Sequence, residues 1–244
     1  MKPRIFDTPV DLFQGTAEEF SNRANAAINN NGRFCVALSG GSTPKSLFAL
    51  LAGGKLPTFP WDKTFLFWGD ERYVPSNAAE SNFRMTREAL LSKVPIPAAN
   101  VFRIKTEISP ADQAAADYEQ TLKTFFNLKS GQLPRFDLTL NGIGQEGHTA
   151  SLFPGSLALE EKTRLVVAPW IETFKMFRVS LTLPVFNNAA CVLFLAAGKE
   201  KAAILQEVLE NPDDQLPAQR IHPSRGELLW FIDQAAASNL KSAA

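Results

Sequence analysis

Leu138-Thr139-Leu140-Asn141-Gly142-Ile143-Gly144-Gln145-Glu146-Gly147-His148-Thr149-Ala150-Ser151-Leu152-Phe153-Pro154 is the stretch on which the reading of this chain turns. The aliphatic run before Asn141 fits a buried central strand of a parallel sheet. Gly142, Gly144 and Gly147 then mark a turn whose backbone takes a positive φ or comes close to another group. In open α/β sheets, the turn at the carboxyl end of such a strand is where ligands bind. Glycine turns alone are common, but this one also presents Glu146 and one of the two histidines of the chain, His148. A neutral imidazole held by a carboxylate is a natural general base near neutral pH, which makes His148 with Glu146 the candidate catalytic pair.

The same strand, turn and helix geometry recurs upstream. Thr16-Ala17-Glu18-Glu19 matches a capping box, and Phe20, Ala24, Ala27 and Ile28 follow at helical spacing to Asn31-Gly32. Arg33 to Leu38 reads as a buried strand and Lys45 to Ala52 as a helix. Ser39-Gly40-Gly41-Ser42-Thr43-Pro44 joins them, with Thr43 expected at the N-cap and Pro44 as the first helical residue. A glycine turn opening a helix binds phosphate through free N–H groups and the positive end of the helix dipole, although a plain βα turn has the same outline. It is neither G-x-G-x-x-G nor G-x-x-x-x-G-K-[ST], so neither a dinucleotide nor a nucleoside triphosphate is expected. Thr64 to Trp68 reads as another strand, and the charged run Gly69-Asp70-Glu71-Arg72 after it has the composition of a solvated loop that sets an arginine at the same sheet edge.

Downstream, helices are expected over Ser81 to Leu91 and from Ser109-Pro110 to about Asn127. Arg164 to Pro169, Arg178 to Leu183, Ala190 to Ala197 and Gly226 to Ile232 read as strands, Lys199 to Glu210 as a helix, and Asp233 to Leu240 as a short terminal helix. Asn211 to Pro217 is a polar, proline-containing excursion. Lys201 sits in the first turn of its helix, where acids are the rule, and this suggests an anionic partner. The alternation predicts an α/β, Rossmann-like three-layer fold with a mostly parallel central sheet, in a single domain over residues 1–244.

Twenty-five basic and twenty-five acidic residues balance to zero formal charge, so no global field draws the chain to nucleic acid or an anionic membrane. Cys35 and Cys191 lie far apart in apolar runs and read as reduced core thiols; with two histidines and no cysteine cluster, a metal site is not expected. The N-terminus lacks the apolar core of a signal peptide and no run approaches a membrane span, which together predict a cytoplasmic protein.

Taken in order, Leu38-Ser39-Gly40-Gly41-Ser42-Thr43-Pro44, Trp68-Gly69-Asp70-Glu71-Arg72, the glycine and histidine turn, Pro217-Ala218 and Gly226-Glu227-Leu228-Leu229-Trp230 resemble the 6-phosphogluconolactonases. These belong to a superfamily that also holds glucosamine-6-phosphate deaminases. The run His148-Thr149-Ala150-Ser151-Leu152-Phe153-Pro154 is similar to the lactonase version rather than to the Asn-Glu-Pro type run of the deaminases. The resemblance implies hydrolysis of 6-phospho-D-glucono-1,5-lactone to 6-phosphogluconate in the pentose phosphate pathway, without metal or cofactor. A monomer is expected, although no sequence feature specifies the oligomeric state. The resemblance further implies that His148 acts as general base on water and that Arg72 contacts the phosphate or the reacting ester. Gly40, Gly41, Ser42, Thr43, Asp70, Arg178 and Lys201 are implied to bind the substrate or its phosphate. The family usually has Asp where this chain has Glu146, which keeps the charge and adds a methylene. Gly-His-Thr-Ala-Ser is not the G-x-S-x-G elbow, so Ser151 is not read as a nucleophile. Two other readings share the scaffold. A sugar-phosphate isomerase or deaminase would need a second acid or base, and a non-catalytic sugar-phosphate sensor would carry DNA-binding helices and a basic face.

Overall fold

The computed structural model describes residues 2–53, 59–211, 213 and 215–241. The chain runs β1 (Arg4–Phe6), α1 (Pro9–Asn31), β2 (Phe34–Leu38), α2 (Ser42–Ala52), β3 (Thr64–Trp68), β4 (Asp70–Arg72), α3 (Asn82–Thr86), β5 (Val101–Phe102), α4 (Ala111–Phe125) and β6 (Leu138–Asn141). It continues through β7 (Val166–Val167), β8 (Trp170–Ile171), β9 (Met176–Leu181), α5 (Leu183–Asn187), β10 (Cys191–Ala196), α6 (Ala202–Glu210) and β11 (Glu227–Asp233). Seven strands form a parallel sheet in the order β1-β11-β10-β6-β2-β3-β5, flanked by helices. Every residue of β2, β6 and β10 is buried, which is why these strands read as unbroken apolar runs rather than alternating ones. Cys35 and Cys191 are free within this core, and burial pushes both thiols up to about 12.

From β2 the chain steps outward to β3 and β5, and from β6 it steps the other way to β10 and β11. The direction of winding therefore reverses between β2 and β6. A crevice opens beyond the carboxyl ends of strands at such a reversal. The two glycine turns singled out in the sequence, after Leu38 and after Asn141, are the two that flank it.

A second, antiparallel sheet, β4-β9-β7 with β8 on β9, lies beside this edge. It corrects the loop expected for the charged run after Gly69. Asp70–Arg72 is a strand because the Glu71 carboxylate, only 2% exposed, accepts from the backbone N–H groups of Arg72, Asn82 and Phe83 and from Ser81 Oγ. Glu71 thereby ties β4 to the N-terminus of α3. Burial raises its pKa, and the backbone N–H groups oppose that rise.

Other boundaries differ for local reasons. Helix α1 starts at Pro9 with Thr8 as N-cap, its side chain accepting from Asp11 N, so Thr16 is a mid-helix residue whose hydroxyl donates to Leu12 O rather than part of a capping box. Helix α2 begins one residue before the expected cap, because Gly41 O already accepts from Lys45 N; Thr43 and Pro44 lie in its first turn. The strand expected from Arg164 shortens to Val166–Val167, and β9 starts earlier, at Met176. The helix expected over Asp233 to Leu240 is a series of turns. There the Asp233 carboxylate accepts from Gly198 N and Ala236 N, which holds the chain to the β10 end instead of starting a helix. The excursion at Asn211 to Pro217 lies in part outside the described residues. Among the described residues no helix is long and apolar enough to cross a membrane.

Candidate active site

A cleft of about 200 Å³ occupies the reversal point, lined by Ser39, Gly40 and Gly41 from the first glycine turn and by Gly142, Ile143, Gly144, His148 and Ala150 from the second. Asp70, Arg72 and Asn82 close one side, and Arg178 and Lys201 complete it. Larger hollows exist, including a neighbouring groove of about 720 Å³, but among the described residues it is in the small cleft that a histidine, three basic side chains and a helix N-terminus converge.

The antiparallel sheet places the two arginines. Arg72 on β4 stands directly opposite Arg178 on β9, and Asp70 opposite Ser180. Like charges facing each other across two strands are unfavourable, and Asp70 beside them only partly offsets this, so the pair leaves a local positive field in a chain of zero net charge. Arg72 donates to Glu80 O at 2.6 Å, and its Nε has no partner among the described residues. Arg178, 6% exposed, likewise has an unpartnered Nε; its guanidinium lies 4.5 Å from the Phe174 ring centre and 5.4 Å from that of Phe153. Burial pulls the Arg178 pKa down, with Asp70 acting in the opposite sense.

In the same cleft, the N-cap of α2 is Gly41, which supplies no side-chain cap to the first N–H groups of the helix, an arrangement able to receive an anion. Ser42 and Thr43 stand in that first turn, outside the lining of the cleft, with Ser42 exposed. Lys201, in the 3₁₀ turn that leads into α6, reaches across to donate to Ile143 O at 2.8 Å. This holds its ammonium against the histidine turn.

His148 sits with Nδ1 3.2 Å from Glu146 Oε2, a close contact in which Nδ1 has no aligned hydrogen bond. Glu146 itself is half-exposed and lines the neighbouring groove rather than the cleft. Burial lowers the His148 pKa below the usual histidine value. Glu146 and Asp70 resist that shift and Arg178 adds to it. The imidazole is therefore neutral, and basic, somewhat further into acid than an exposed histidine would be. Gly144 is required by closeness: a Cβ there would lie 2.0 Å from His148 Nδ1 and 2.1 Å from Cε1.

Three residues here carried no site reading in the sequence. Asn82, 1% exposed, donates to Asp70 O at 2.9 Å and to Asp70 Oδ1 at 3.3 Å, and Ser151 Oγ donates to Asp70 Oδ2 at 2.6 Å. Together they fix the buried carboxylate behind the arginines. Phe153 stacks on His148 with ring centres 4.0 Å apart and planes at 22°. No local pattern marks Asn82, whereas Ser151 and Phe153 fall in the segment after His148 that is similar to the lactonases.

A parallel α/β fold whose reversal-point cleft gathers three basic side chains and a helix N-terminus is of the class suited to phosphorylated ligands. The chain belongs to the family described as glucosamine-6-phosphate isomerases/6-phosphogluconolactonase, whose model matches residues 7–230. It is 43% identical to a 6-phosphogluconolactonase of Nostoc sp. over 220 residues, 89% of each chain. Against the 6-phosphogluconolactonase of Rattus norvegicus it is 40% identical, over 96% of this chain and 91% of the other. The structure is similar to that of a 6-phosphogluconolactonase from Trypanosoma cruzi, with a TM-score of 0.87 and 32% identity over 98% of this chain and 97% of that one.

Proposed function

We propose that this chain hydrolyses 6-phospho-D-glucono-1,5-lactone to 6-phosphogluconate, with His148 as general base on water. The observation that carries the reading is the convergence of one neutral histidine with Arg72, Arg178, Lys201 and an uncapped helix N-terminus in a single cleft. A δ-lactone is already an activated ester, so its hydrolysis needs a base for water, donors for the carbonyl oxygen and a grip on the phosphate that positions the ring. With Nδ1 turned to Glu146, Nε2 is the nitrogen that takes the proton as water attacks the carbonyl carbon. The carbonyl electron pair moves to oxygen and meets Arg178, which shares the Phe153 surface with the base. When the tetrahedral centre collapses, the bond to the ring oxygen breaks and the imidazolium returns the proton to that oxygen, giving the hydroxy acid. The N-terminus of α2 at Gly41, Lys201 and Arg72 hold the phosphate.

On this reading the protein is a monomer and a single domain that acts in the cytoplasm on a free sugar phosphate. A deaminase would also need a group to shuttle a proton between carbons. His148 stands alone as a histidine in the cleft, and the Asp70 carboxylate in its wall already accepts from Ser151 and Asn82. The test is an assay of lactone hydrolysis at neutral pH, corrected for the spontaneous rate, beside one for ammonia release from glucosamine 6-phosphate. Hydrolysis without ammonia release is expected, and ammonia release without lactonase activity overturns the proposal.

Lys201→Ala separates grip from chemistry. A contact made equally to substrate and transition state raises KM and leaves kcat little changed, and loss of a charged hydrogen bond to phosphate raises KM by about tenfold or more. If 6-phosphogluconate binds the variant as tightly as the parent by calorimetry, Lys201 does not hold the phosphate.

A further inference from the structure

We propose that Phe153 is a positioning residue of this site: its ring holds the His148 imidazole in the plane that presents Nε2 to the attacking water, and ties that plane to Arg178. The inference rests on the general-base reading of His148. A histidine base is ordinarily oriented by an aligned hydrogen bond to its other nitrogen, and His148 Nδ1 has none among the described residues, although Glu146 Oε2 approaches to 3.2 Å. Packing therefore shares in the orientation, and the ring is closely packed. On one side Gly144 leaves no room for a methyl group at the imidazole edge, and on another the Phe153 ring lies nearly parallel at 4.0 Å.

Phe153 is itself 7% exposed and held from beyond by Phe174, whose ring meets it edge-on at 5.9 Å. The Arg178 guanidinium rests over both of these rings. Base and cation therefore share one aromatic wall. The same ring covers one face of the imidazole. The charged groups that act on His148 are Glu146, Asp70 and Arg178, with Arg72 paired to Arg178 and Lys201 bonded to Ile143 O in the same cleft. Burial outweighs the pull of the two carboxylates.

Phe153→Leu removes the stacking face and retains an apolar side chain; Phe153→Tyr keeps the face. The chain has two histidines, so proton NMR titration resolves His148 from His222, with His148→Asn giving the assignment. The Leu variant is expected to titrate His148 at higher pH than the parent and to lose about three- to tenfold in kcat with little change in KM. The Tyr variant is expected to restore both. Binding of 6-phosphogluconate shows that each variant is folded, and if Leu at this position does not fold, Phe153→Met takes its place. Unchanged kcat and titration in the Leu variant overturn the proposal, as does a Tyr variant impaired to the same extent as Leu. Should the parent fail to hydrolyse the lactone, the general-base reading falls by itself, while the titration still decides whether Phe153 sets the environment of the imidazole.

Discussion

His148→Asn is expected to lower kcat for lactone hydrolysis by on the order of a hundredfold or more while 6-phosphogluconate binds nearly as before. The two halves of this result have separate physical origins. The proposed base belongs to the second glycine turn, whereas the proposed phosphate grip, the N-terminus of α2 with Lys201 and Arg72, lies on other elements. Asparagine is close to histidine in polarity and keeps the backbone of the turn, in which Gly144 N is bonded to His148 O at 2.9 Å. Steady-state kinetics with product-binding calorimetry checks both halves. A variant with near-parental kcat means that another group activates the water, and a variant that no longer binds product means that the turn itself has collapsed.

Glu146→Gln is expected to cost about ten- to a hundredfold in kcat, and Glu146→Asp much less. The carboxylate acts on the imidazole through charge at 3.2 Å rather than through an aligned hydrogen bond, so removing the charge matters more than shortening the side chain. Because Glu146 raises the His148 pKa against burial, its neutralisation lets that pKa fall further. The acid limb of the kcat profile in the Gln variant therefore moves to lower pH. Glu146 is half-exposed and its field is partly screened by water, which keeps the expected loss below that for His148. A fully active Gln variant with an unchanged profile would leave His148 working without a carboxylate partner.

Much of this site is legible in the chain because it is made of local signals. Buried parallel strands β2, β3, β6 and β10 announce themselves as apolar runs, and the glycines after Leu38 and Asn141 mark the turns that flank the reversal point. Lys201 is legible because it breaks the charge preference of a helix start. What was missed depends on partners distant in sequence. Helix α1 begins well before its strongest periodicity, running through Gly15, whose lack of a side chain is needed because a Cβ there would lie 2.3 Å from the Phe6 ring. Strands β1 and β4 are three residues each and carry charges, so neither shows alternation; β4 exists through Glu71 and its pairing to β9. The opposition of Arg72 and Arg178 follows from that pairing and has no counterpart in sequence spacing. Asp233 opens a plausible helix by pattern, yet its carboxylate is engaged by Gly198.

The measurement that bears most directly on His148 as the base is the pH dependence of kcat for the parent protein beside the residual kcat of His148→Asn. A base must be neutral to act, so the parent rate falls as pH drops through the His148 pKa, which burial lowers in the ligand-free protein. A phosphate monoester also titrates near pH 6, and for that reason the comparison is needed: an effect of substrate ionisation persists in the variant, whereas one due to the imidazole vanishes. An acid limb is expected in the parent, and its loss in His148→Asn. The same limb in both proteins would contradict His148 as the base.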